Sequence, residues 1–201
     1  MPPESSRALS RLDPRQPLVI DTRELGRRPG SMRKLSRSVP APAGLGVVVL
    51  GVPQGFPVEL ELRLESVMEG VLVSGTAATQ VEGECVRCLD PITSSLVVDL
   101  QELFAYPGAE IDDDDESELH QLEGELLDLE PVLRDAVVLA LPFQPLCRND
   151  CPGLCPECGA RLADEPDHGH EKIDPRWAVL STVDGTTDSS PAQGPERNEE
   201  R

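Results

Sequence analysis

Aromatic side chains are nearly absent from this chain, with three Phe, one Tyr and one Trp in 201 residues. A core must then be built from Val, Leu, Ile and Ala. The shortage also argues against a platform for single-stranded nucleic acid, because such proteins stack bases on aromatic faces. Long apolar runs are missing too. The longest, Ala43 to Val52, has ten residues and includes Gly44, Gly46 and Gly51, far short of the roughly 20 that a spanning helix needs. The first twenty residues hold no apolar stretch of signal-peptide length. The expectation is a cytoplasmic protein with no membrane partner.

Histidine is scarce, with three in the chain. No nucleophile–base constellation and no glycine-rich phosphate loop of the required form can be assembled from the residues present. This argues against an enzyme and against a small-molecule substrate. Positive charge is sparse beyond the N-terminal part. Residues 1–40 hold nine Lys or Arg against four Asp or Glu, a charge of +5, so the remainder of a chain of net charge -19 carries -24. Such a body repels a phosphate backbone and attracts basic partners, although an acidic surface also serves solubility alone.

What the chain has in excess is closely spaced cysteine. Four of its six cysteines fall in the twelve residues from Cys147 to Cys158. In a reducing compartment that spacing favours a metal over disulfides. The candidate ligands are Cys85, Cys88, Cys147, Cys151, Cys155, Cys158, His168 and His170, enough for two tetrahedral zinc ions in structural sites with no open position. One grouping joins Cys85, Cys88, Cys147 and Cys151 on one ion and Cys155, Cys158, His168 and His170 on the other. The alternative puts Cys147, Cys151, Cys155 and Cys158 on a single ion. The two histidines, in an acidic loop, also read as plain exposed residues. Cys151, Cys155 and Cys158 spell the CxxxCxxC of radical iron–sulfur enzymes, but too little chain follows for their barrel. Cys85 and Cys88 could form a redox dithiol, although a strand rather than a helix follows them.

Taken in order, residues 1–16 read as a disordered arm, rich in Pro, Ser and Arg. A β-rich core domain follows over 17–146. It starts with a short β-like run, Leu18 to Ile20. Next comes a long connection, 26–44, whose Arg27, Arg28, Arg33, Lys34 and Arg37 are either a solvated loop or a contact surface for RNA or an acidic partner. From Val58 strict alternation marks a strand, with Val58, Leu60, Leu62 and Leu64 on one face. Two more runs, Val71 to Glu84 and Ile92 to Phe104, complete an antiparallel meander with CVRC at its second tip. The acidic block between Ala109 and Glu118 reads as an exposed loop. Apolar spacing predicts a helix near 129–140, capped by Asp128 with Pro131 in its first turn. Residues 147–180 form a Cys- and His-rich metal-binding extension packed on the core, with an apolar segment at Trp177 to Leu180. Residues 181–201 read as a disordered tail. The fold class is α+β: an antiparallel β meander or partly closed barrel, one packed helix and a C-terminal cysteine-rich zinc-binding extension.

Several segments together, PLVIDTREL with RRPG, ECVRCLDPI, LDLEPVLRDAVVLALPFQPLC, GLCPECGARL and DPRWAVL, resemble the YceD family of bacterial and plastid proteins. The likeness spans roughly residues 18–180. It implies a non-enzymatic role in synthesis, processing or stability of 23S rRNA and in large-subunit assembly. It also implies that the CxxC and the site after LALP are widespread in the family while GLCPECG belongs to a subset, which supports the first grouping. Many of that subset carry CxC where this chain has His168 and His170. The reading is an acidic adaptor for a ribosomal protein or an assembly factor. The alternatives are direct RNA binding through Arg27 to Arg37, and a thiol redox protein.

Overall fold

The computed structural model describes residues 12–109 and 120–170. The expectations for most of the N-terminal arm, the acidic block, the Trp177 to Leu180 segment and the tail fall outside the described residues. The chain forms two compact units, the first running to Leu154 and the second starting at Cys155.

In the first unit, alternation drives the architecture. Strand β5 (Pro57–Ser66) buries Val58, Leu60, Leu62 and Leu64 and turns Glu59, Glu61 and Arg63 to solvent. Burying each such side chain contributes roughly 1.5–3 kcal/mol. Strand β6 (Gly70–Glu84) pairs along its whole length with β7 (Pro91–Ala105), Gly70 opposite Ala105 and Glu84 opposite Pro91. The predicted meander of three strands is therefore present. The other edge of β6 is shared, taking β5 over Val71–Ala78 and strand β4 (Leu50–Val52) over Glu82–Gly83. The small residues of β6 matter at Gly75, where a Cβ would lie 2.0 Å from the Glu61 carbonyl oxygen of β5.

Strand β3 (Leu45–Val47) pairs with β4, and strand β2 (Met32–Pro40) with β5. Both lie in or beside the stretch expected to be a long loop. Strand β2 escapes the period-2 signal because two of its four inner-face positions are arginines, in the series Arg33, Leu35, Arg37, Val39. Helix α1 (Glu130–Ala140) packs on β3 and β7 through Val132, Leu133 and Val137. It starts one residue later than predicted, because Asp128 ends strand β9 (Leu126–Asp128), which pairs with strand β1 (Val19–Asp21). The Asp128 carboxylate still accepts the Glu130 N–H at 2.9 Å. Strand β8 (His120–Gln121) runs parallel to the end of β7.

The fold is α+β, but the partly closed barrel is not met: among the described residues no backbone ladder joins the edges of the seven-stranded sheet. What joins β2 to β1 is a pair of side chains. Leu18 and Thr22 direct their backbone groups to the β9 side, so by alternation the carbonyls of Pro17, Val19 and Asp21 point the other way. Arg37 donates to the Pro17 and Val19 carbonyls, and Arg33 donates to the Asp21 carbonyl at 3.3 Å. Burial holds the Arg37 pKa below the usual arginine range. Replacing Arg37 with Met is expected to lower unfolding free energy by about 1–3 kcal/mol, with Arg37→Lys between Met and the native chain. An unchanged urea midpoint for Arg37→Met would refute the role.

Candidate metal centre

The CVRC turn caps the β6–β7 hairpin. Cys85 N–H donates to the Asp90 carbonyl at 2.8 Å and Leu89 N–H returns to the Cys85 carbonyl at 2.9 Å. This wrap needs a left-handed residue at its fifth position, and Leu89 supplies it with φ 61°. The turn is strapped to the chain that leaves α1. Val86 N–H donates to the Pro145 carbonyl at 3.0 Å, Leu154 N–H to the Arg87 carbonyl at 3.0 Å, and Arg87 Nη1 to the Cys151 carbonyl at 2.9 Å. Gly153, at φ 83°, lies close against the Arg87 backbone. These bonds carry Cys147 and Cys151 to Cys85 and Cys88.

The four sulfurs lie within 4.8 Å of one another. Cys85 Sγ is 3.8 Å from Cys151 Sγ, and Cys88 Sγ is 3.6 Å from Cys147 Sγ. A tetrahedron with metal–sulfur bonds of about 2.3 Å has edges of about 3.8 Å. All six cysteines are free thiols. Cys85, Cys88 and Cys151 are buried, with Ile92 and Leu146 packed around them. Burial raises the Cys85 thiol, but the backbone N–H groups of Cys147, Cys88 and Arg87 outweigh it and bring it down to about 6. The Asp90 backbone N–H lowers Cys88, yet burial and the neighbouring thiols push it well up, and burial raises Cys147. Four thiols this close ionise together only around a cation.

The second unit repeats the turn. Cys155 N–H donates to the Ala160 carbonyl at 2.8 Å and Gly159 N–H to the Cys155 carbonyl at 2.9 Å, with Gly159 at φ 74°. Residue for residue this is the frame of Cys85 to Asp90. His168 Nε2 lies 3.1 Å and His170 Nε2 3.3 Å from Cys158 Sγ, and the two nitrogens are 3.0 Å apart. Behind them, Glu165 accepts from His168 Nδ1 at 2.9 Å and Glu157 lies 3.6 Å from His170 Nδ1. A carboxylate on Nδ1 leaves Nε2 free as a ligand atom. Backbone N–H groups of Cys158 and Glu157 bring Cys155 down to about 6, and Cys155 and Glu165 raise His168. Cys158 and His170 are exposed. The eight candidates thus assemble in the first of the two groupings. Sequence reasoning missed Arg87, Glu157 and Glu165 as supports; Glu165, three residues before His168, was the legible one.

The basic cluster is largely turned on its own chain. Arg27 pairs with Glu125 at 2.8 Å and lies over the Tyr106 ring at 4.9 Å. Arg33 pairs with Glu24 at 3.0 Å and donates to the Asp21 backbone carbonyl, and Arg37 holds β1. Arg28 and Lys34 are exposed and have no side-chain partner among the described residues.

The backbone of Leu89 is in a conformation that costs an ordinary residue roughly 1–2 kcal/mol. Leu89→Gly is expected to raise the Tm, since the side chain is 59% exposed and little packing is lost. A fall in Tm would mean that the side chain, not the turn, matters there.

The model for the family described as "Large ribosomal RNA subunit accumulation protein YceD" matches residues 73–183. An uncharacterized protein of Mycobacterium tuberculosis (strain H37Rv) is 52% identical over 165 residues, covering 82% of this chain and 80% of its own. An uncharacterized protein of Mycobacterium leprae is 45% identical over 169 residues, covering 83% and 77%. The uncharacterized protein YlbN of Bacillus subtilis is 24% identical over 130 residues, covering 63% and 74%. No solved structure matches the chain. With the family model covering both cysteine turns, and relatives half identical over four fifths of its length, the chain belongs to the YceD family.

Proposed function

We propose that the chain is a non-enzymatic, zinc-stabilised acidic adaptor in the cytoplasm. It supports synthesis, processing or stability of 23S rRNA during large-subunit assembly by holding a basic ribosomal protein or docking on an assembly factor. The disposition of charge carries this reading. Residues 41–201 bear -24, while Arg27, Arg33 and Arg37 are engaged within the molecule. That surface attracts basic protein and repels phosphate. The family description supplies the link to large-subunit ribosomal RNA.

Cys85, Cys88, Cys147 and Cys151 would hold one zinc ion, and Cys155, Cys158, His168 and His170 the other. Full ligand sets of this kind make structural sites, and such an ion contributes about 10–16 kcal/mol of folding free energy in small zinc domains. Its chemistry here is cross-linking: the first ion ties the hairpin tip to the chain after α1.

Elemental analysis of protein purified without added metal is expected to give two zinc ions per chain, and one after Cys85→Ser or Cys155→Ser. Iron, or no metal, overturns the zinc assignment. Cys85→Ser is further expected to destabilise the first unit by more than about 4 kcal/mol, whereas Cys155→Ser leaves its unfolding transition in place.

Tagged protein in cell extract at low salt should retain a ribosomal protein or assembly factor and release it at high salt. Retention of RNA alone, lost when Arg28 and Lys34 are neutralised, would replace the adaptor with direct RNA binding.

A further inference from the structure

Strand β7 uses one edge for β6, and on its other edge β8 reaches Phe104 and Ala105 alone. The Ala105 carbonyl points outward and accepts the Leu122 N–H at 2.9 Å. The β6–β7 register runs without a bulge, so by alternation the N–H and C=O groups of Leu103, Gln101, Asp99, Val97, Ser95 and Thr93 point the same way. From Pro91 to Leu103 none of the described residues pairs with this edge. Its solvent-facing side chains are uncharged or acidic, and Val97 is 65% exposed.

Proteins blunt such edges with lysine, proline or a bulge. Strand β2 does so, with Lys34 on the strand and its arginines gripping β1. Strand β7 has no Lys or Arg, and its one proline stands at its first position. Charge among the described residues is one-sided: between Cys88 and Cys147 they include one Lys or Arg, Arg134, and eight Asp or Glu, with Asp99 and Glu102 on β7 itself.

We propose that the open edge of β7 takes an added strand from an extended, lysine- or arginine-rich polypeptide. Main-chain hydrogen bonds hold the added strand, and the acidic surroundings select its charge. This rests on the adaptor reading above and names the surface it would use.

The probe is a ten-residue peptide of alternating Lys and Val, compared with the same peptide N-methylated at alternate backbone amides. The second keeps charge and side chains but cannot pair as a strand. With the full metal-loaded chain, fluorescence anisotropy is expected to show binding that N-methylation weakens at least tenfold. Val97→Pro is expected to weaken it as much, because it removes an outward N–H and leaves the bonds to β6 in place. Independently of that variant, hydrogen exchange should show the amides of Ser95, Val97 and Asp99 fast in the free chain and slowed by peptide, with Leu96 and Val98 slow throughout. Equal affinity for both peptides, no binding at low salt, or outward amides already slow in the free chain would each overturn the proposal. So would a homodimer that Val97→Pro dissociates, since the occupant would then be a second copy. If Val97→Pro still retains a basic partner from extract, the adaptor reading stands and the β7 edge is not its surface.

Discussion

Fifteen consecutive residue pairs join β6 to β7, and the rest of the first unit is hung from that ladder. Its far end carries the CVRC turn. One face of the ladder contributes Val71, Val73, Ala77 and Val81 of β6 and Val98, Leu100 and Phe104 of β7 to the core. The second edge of β6 is long enough to serve two partners, β5 near its start and β4 near its end. Glycine at 75 is what lets β5 approach so closely. A shorter or bulged β6 would leave either the core strands or the cysteine turn without a support.

The two cysteine turns show one solution used at two depths. Each directs backbone N–H groups at its first sulfur, and each brings that thiol down to about 6. Around the first turn three of the four cysteines, Cys85, Cys88 and Cys151, form a small buried cluster, with Cys147 at its exposed rim. Around the second, Cys158 and His170 stay open to solvent and carboxylates orient the imidazoles. The first arrangement forms a small buried cluster beside the main core of its unit; the second organises the described loop from Cys155 to His170.

Much of this was legible in residue spacing. The alternation of Val58 to Leu64, the helical spacing of Val132, Leu133 and Val137, and the CxxC pairs each declare a local geometry that packing then keeps. Most of the failures depended on partners remote in sequence. Inward arginines at 33 and 37 make sense only once the carbonyls of Pro17, Val19 and Asp21 are seen beside them. The β3–β4 hairpin turns at Val48 and Val49, where no glycine or asparagine announces a turn. Asp128 was read as a cap, but its backbone is claimed by Val19. Charge counted along the chain does not show that β2 sets Arg33 and Arg37 on one face and Lys34 on the other.

The pairing of Val19 with Asp128 also fixes an order of events during synthesis. Strands β5, β6 and β7 are neighbours in sequence and can pair as soon as they emerge. Strand β1 leaves the ribosome before all of them, yet its partner β9 comes after every strand of the main sheet. Its ladder must wait for residue 128. The first of the described strands to be made is therefore among the last to be fixed.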